Sequence, residues 1–179
     1  LKKELAGLLC LFLALALFHA VSVPVLMPKR CDYGSVWNMY LQEPEDSLDL
    51  LVFGSSLAYC DVVPSVIYEE TGLTSFVMAG PSQRLPITYR YLLEACKTQS
   101  PKAVLIEATC LLLGRGDDSL KVNLTYMPWS LNRLIPTFQE ASREDWPGLL
   151  FPLYAYHDRW DSLTLEDWRK GFGGYEPDP

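Results

Sequence analysis

Histidine is almost missing from this chain: His19 and His157 are the only two among 179 residues. A metal centre built on imidazoles is therefore disfavoured, and no metal is expected. The five cysteines (Cys10, Cys31, Cys60, Cys96 and Cys110) are scattered without a Cys-x-x-Cys pair, which leaves neither a disulfide framework nor a zinc motif. Cys96 and Cys110 read as small buried apolar residues. Basic charge is also short. Beyond residue 30 there are 11 Lys and Arg against 21 Asp and Glu, a net of −10, with no basic cluster. Nucleic acid is not a partner such a surface attracts. This acidity favours solubility and opposes adhesion to anionic polymers. No Gly-x-Gly-x-x-Gly spacing and no phosphate-loop lysine is present, so no nucleotide cofactor is expected.

What the chain has in excess is apolar residues at its start. From Leu5 to Met27 only Gly7, His19, Ser22 and Pro24 interrupt the run. About 20 such residues cross a bilayer as a helix. A secretory signal has a shorter apolar region followed by a small-x-small site, whereas here Ala14-Leu15-Ala16 lies inside the run. An uncleaved membrane anchor over residues 1–30 is the better reading. Lys2 and Lys3 favour a cytoplasmic amino terminus and an extracytoplasmic domain, while Lys29 and Arg30 pull the other way. Residues 31–48 read as a linker, and residues 49–179 as one partial domain.

Asp49-Leu50-Leu51-Val52-Phe53-Gly54-Ser55-Ser56 is the centre of that domain. Four apolar residues in a row suit a strand covered on both faces of a parallel sheet, and Gly54 breaks it where a helix begins. Pro64 to Gly72 reads as a short helix, with proline in its first turn and glycine just past its end. Thr74 to Gly80 is a second strand, the segment from Ile87 to Thr98 has helical spacing, and Lys102 to Thr109 is a third strand. Alternation of this kind predicts a parallel α/β sheet. Ser130 to Ser142 reads as a helix kinked or divided at Pro136, with capping boxes at Ser142-Arg143-Glu144-Asp145 and Thr164-Leu165-Glu166-Asp167. Three strands are few for such a domain, so further strands are expected outside these residues.

Ser55 and Ser56 sit at the carboxyl edge of the first strand, the edge where open α/β sheets place their ligands. A serine nucleophile needs a base and amide donors aimed at an oxyanion. Phe53-Gly54-Ser55-Ser56-Leu57 resembles the first block of the SGNH, or GDSL, hydrolase superfamily, with Ser55 in place of the usual aspartate. Its envelope-associated branch includes the teichoic-acid D-alanyl transfer and alginate O-acetylation proteins. Ala79-Gly80-Pro81-Ser82 resembles the second block. The resemblance covers residues 49 to 109 and implies a three-layer, flavodoxin-like parallel sheet that is incomplete here. It makes Ser56 the nucleophile and the Ser56 and Gly80 amides the oxyanion hole. Ser82 and Gln83 become candidates for substrate binding.

Two blocks depart from the family. Where Gly-x-Asn is expected after the third strand the chain reads Glu107-Ala108-Thr109, and Asp-x-x-His is absent. Gln83 is a stand-in amide donor or, more simply, a surface-loop glutamine. Glu107 reads as an ion-pair partner of Arg84 or Arg90 ahead of a site residue. His157 lies among Tyr154, Tyr156 and Trp160, a setting that suits packing or a carbohydrate-facing surface better than a catalytic base. The resemblance therefore implies that the catalytic Asp and His lie outside this sequence and that these residues alone are inactive. Asn123-Leu124-Thr125 matches a glycosylation acceptor only formally.

The expected function is that of an extracytoplasmic serine esterase or O-acyltransferase on a cell-envelope or exported polysaccharide. Its expected partners are an acyl donor and a membrane O-acyltransferase. The alternative is a non-catalytic glycan-binding or scaffold module of the same fold.

Overall fold

The computed structural model describes residues 2–27, 36–114 and 119–170. Cys31 and Gly34 of the expected linker, Arg115 to Asp118 of the expected loop, and the Gly171–Pro179 tail lie outside them. The chain divides into two compact units, residues 31–149 and a second made of residues 1–30 with 150–179.

In the second unit the apolar run forms a single helix, α1 (Lys2–Leu26), long and apolar enough to cross a membrane. Its side chains are exposed from Lys3 as far as Val21, and Ser22, Val25 and Leu26 are buried.

The first described element of the other unit is α2 (Val36–Tyr40). This segment was expected to be linker, yet Val36, Trp37 and Tyr40 are buried in the main core. The Trp37 ring meets those of Tyr91 and Tyr40 edge-on, at 4.9 and 5.6 Å. Gln99 fixes the stretch from Pro44 to Leu48: its side-chain oxygen accepts from the Ser47 and Leu48 amides, and its nitrogen donates to the Pro44 carbonyl. A five-residue helix is too short to show periodicity, which is why the sequence pattern hides it.

Strand β1 (Leu50–Gly54) leads into α3 (Ser56–Asp61) and α4 (Pro64–Thr71). The latter ends at Gly72 in the left-handed conformation, φ 72°, which glycine adopts without a steric penalty. Strand β2 (Ser75–Ala79), α5 (Leu85–Ala95) and β3 (Ala103–Ile106) complete a parallel sheet of order β2-β1-β3. Gly54 pairs with Ala79, and Phe53 with both Met78 and Ile106. Leu51 and Phe53 face the main core with Met78, Ile87 and Tyr91. Val52 faces the opposite side with Ala58 and Ala79. Strand β1 is thus buried on both faces, as its unbroken apolar run requires.

Strand β3 differs. Val104, Leu105 and Ile106 are 41, 48 and 43 % exposed, so neither of its faces is fully covered. Beyond a 3-10 turn (Ala108–Leu111) the chain forms α6 (Ser119–Thr125), α7 (Leu131–Glu140) and α8 (Trp146–Leu150). Pro136 lies inside α7 without dividing it. Arg84 at the start of α5 pairs with Glu140 at the end of α7, 2.9 Å apart and nearly buried. Glu94 binds the Ser130 hydroxyl and the Asn132 amide at the start of α7.

Three short elements follow in the second unit: α9 (Pro152–Ala155), a 3-10 turn (His157–Asp161) and α10 (Leu165–Lys170). The second expected capping box is formed there. The Thr164 N–H and hydroxyl both donate to Asp167, and the Asp167 N–H points back to Thr164. Cys110 is buried as expected, whereas Cys96 is exposed because it lies just past α5 on that helix's open side.

Candidate functional site

The two serines after β1 have different environments. Ser55 is buried and is the N-cap of α3, its hydroxyl accepting from the Leu57 N–H at 3.4 Å. The same hydroxyl donates to Glu107 Oε2 at 2.7 Å, and the Ser55 N–H reaches that oxygen at 3.2 Å. The other carboxylate oxygen accepts from the Thr109 N–H, capping the 3-10 turn after β3. Glu107 therefore fastens the end of β3 to the turn after β1. This corrects the expected pairing with Arg84 or Arg90. Arg84 is taken by Glu140, and the Arg90 guanidinium lies 5.4 Å from the Tyr89 ring.

Gly54 is needed for this approach. A Cβ there would stand 2.5 Å from Glu107 Cβ and 2.9 Å from Ala58 Cβ, neither of which can swing aside. Desolvation pushes the Glu107 carboxyl pKa up, but hydrogen bonds from Thr109 and Ser55 outweigh it and hold the pKa at about 2. A carboxylate so stabilised is a poor proton acceptor at neutral pH, where a base works best with a pKa near ambient. Ser55 with Glu107 is a cap rather than a nucleophile with its base.

Ser56 is the first residue of α3 and half-buried. Among the described residues its hydroxyl makes no hydrogen bond. It lies at the carboxyl end of the central strand, where the chain has neighbours on both sides and the strand order reverses direction. The register that pairs Gly54 with Ala79 brings Gly80 beside this turn. The Gly80 N–H is directed at the Gly54 carbonyl over 3.4 Å, a long and weak bond.

The loop after β2 departs from expectation at Gln83, which is fully buried rather than on the surface. Its side-chain nitrogen donates to the Met78 carbonyl and the Thr88 hydroxyl, at 3.3 and 3.1 Å. Ser82 is half-buried and left-handed, φ 44°, so the turn itself carries backbone strain.

Asn123 was legible only as a formal glycosylation acceptor. It is 2 % exposed, too buried to carry a glycan. Its side-chain nitrogen donates to the Pro81 carbonyl at 3.0 Å, and its main-chain carbonyl accepts from the Tyr91 hydroxyl. The side-chain oxygen stands 1.9 Å from where a Cβ on Gly80 would be, and Gln83 Oε1 stands 3.3 Å from that point. Among the described residues neither oxygen has a hydrogen-bond partner. Two buried carboxamides thus close on Gly80, which must be glycine because Asn123 fills its side-chain space. No local signal marks Asn123. It reaches Gly80 only through the packing of α6.

His157 belongs to the unit that does not contain Ser56. Its Nδ1 lies 2.8 Å from the Tyr154 carbonyl, and neither Asp158 nor Asp161 hydrogen-bonds it among the described residues. The unit that holds Ser56, residues 31–149, has no histidine in its sequence. In comparisons with known proteins, no family model, no curated protein and no solved structure matches this chain.

Proposed function

We propose that the unit holding Ser56 is a serine acyl-transfer domain of the SGNH kind, tethered by α1 on the extracytoplasmic side of a membrane. Its substrate class is the cell-envelope or exported polysaccharide, with a membrane O-acyltransferase as donor partner. One observation carries this reading: Ser55 is locked to Glu107 while the Ser56 hydroxyl is unengaged at the carboxyl edge of the central strand. The order β2-β1-β3 agrees with the first three strands of a flavodoxin-type sheet.

In the proposed reaction Ser56 Oγ attacks the acyl carbonyl carbon and gives its proton to a base. The acyl–oxygen bond of the donor then breaks, and the departing alkoxide takes the proton back. Water or a sugar hydroxyl next attacks the acyl-serine ester and releases Ser56. Residues 31–149 contain no histidine, so a histidine base would have to be supplied from outside this unit. A fluorophosphonate probe on the full-length protein tests the proposal. Labelling lost in Ser56→Ala supports it; absence of labelling, or labelling that survives Ser56→Ala, refutes it.

A second reading rests on that missing histidine: a non-catalytic module that binds glycan or scaffolds an envelope complex. It expects glycan retention that Ser56→Ala leaves unchanged, with no labelling.

A further inference from the structure

The carboxyl-terminal end of α1 changes character sharply. Every side chain from Lys3 to Val21 is exposed, and burial starts at Ser22. At about 1.5 Å per residue the exposed stretch is about 28 Å long, close to the roughly 30 Å of a bilayer's hydrocarbon core. The elements packed against α1 are α9, the 3-10 turn His157–Asp161 and α10. Arg159 fixes them in place. One guanidinium nitrogen donates to the Leu26 carbonyl, one of the acceptors that a helix end leaves open. The other reaches Asp167 at 3.1 Å, and Asp167 in turn caps α10. These short elements are therefore tied to the end of α1, at the level where its exposed stretch stops.

These elements expose large apolar and aromatic side chains alongside the polar Asp158, Asp161, Ser162 and Thr164. Phe151, Tyr154, Trp160, Leu165 and Trp168 are between 46 and 66 % exposed. Tyrosine and tryptophan, with an apolar body and a polar edge, concentrate where hydrocarbon meets water. Residues 150–170 carry four acidic and three basic side chains, a net of −1. Attraction to anionic headgroups does not account for such a surface, whereas aromatic partition into a neutral interface does.

We propose that α9, the 3-10 turn and α10 form a collar lying in the headgroup–acyl boundary of a phospholipid bilayer crossed by α1. The collar sets the depth of the anchor. This rests on the membrane reading of α1 and adds a second, aromatic contact with the same bilayer. It also gives α1 a role after export, since removal of the helix would uncover the collar's inner face.

The full-length protein in phosphatidylcholine vesicles provides the test, with lipids brominated either near the headgroup or near the chain end as quenchers. The emission attributable to the collar is the difference between wild type and the Trp160→Phe/Trp168→Phe variant. It should be quenched at least about two-fold more by the shallow bromines than by the deep ones. A Leu13→Trp variant, in mid-helix, should show the reverse preference. Deep quenching at position 13 with no lipid quenching of the collar overturns the collar while the span stands. No quenching at either place overturns both. A collar signal that responds to soluble oligosaccharide and not to brominated lipid makes the face a glycan surface and also overturns the proposal.

Discussion

Replacing Glu107 by glutamine removes one oxygen from a site that uses two. Three donors converge on the carboxylate: the Ser55 N–H, the Ser55 hydroxyl and the Thr109 N–H. A carboxamide of the same shape has one acceptor, so its NH2 must face a donor either at Ser55 or at Thr109. Leaving a partly buried donor unsatisfied costs about 1–3 kcal/mol. At about 2 kcal/mol the midpoint of thermal unfolding falls by about 4–8 °C for a chain of this size. Acid provides the internal control. The Glu107 carboxyl is lowered from 4.5 to about 2 in the folded protein, so its contribution is complete above the ordinary value and is lost as pH falls from about 4.5 to about 2. At about 1.36 kcal/mol per unit the full shift corresponds to about 3 kcal/mol, and solvent screening of this half-exposed group leaves about 1–2 kcal/mol. Thermal melts followed by circular dichroism in detergent, from pH 7 to pH 2.5, measure both effects. The gap between wild type and Glu107→Gln should be widest at neutral pH and close in acid. A gap that does not change with pH, or no gap at pH 7, refutes the account of Glu107 as the tie between β1 and β3.

Other contacts lead to expectations of the same kind. Gly54→Ala forces a Cβ against Glu107 Cβ and Ala58 Cβ and should destabilise by about 1–3 kcal/mol, read by urea unfolding. Arg84→Met removes the guanidinium from a nearly buried Glu140 and should cost about 1–3 kcal/mol, while adding Glu140→Leu should recover much of the loss in the same assay. Tyr91→Phe leaves the Asn123 carbonyl without its hydroxyl donor and should cost about 1 kcal/mol in urea unfolding.

The parts of this fold that could be read in advance are those governed by neighbours in sequence. The run Leu50 to Phe53 breaking at Gly54 announces a buried strand and its turn, and Pro64 with Gly72 brackets α4, because backbone preference acts locally. The reciprocal cap between Thr164 and Asp167 was legible for the same reason. What escaped depends on pairs far apart in the chain. Glu107 lies 52 residues from Ser55, and nothing around it distinguishes a serine partner from an arginine. Gln83 in a polar loop suggests a surface until α5 provides Thr88 for its side chain. Asn123 needed both the Gly80 space and the placement of α6. The place of Ser56 after the first strand could be read from the sequence, but its lack of a hydrogen bond among the described residues emerges only with the fold.

The bare strand at the side of the sheet bears on how this protein behaves in a test tube and in a cell. Val104, Leu105 and Ile106 form three consecutive apolar residues, two of them β-branched, on a strand that is an edge among the described residues and carries no charge. Such an edge is a template on which a second chain can extend the sheet. Residues 31–149 produced without the rest of the chain are therefore expected to self-associate as their concentration rises. A single gatekeeper charge, Leu105→Lys, is the most direct way to keep them monomeric for study.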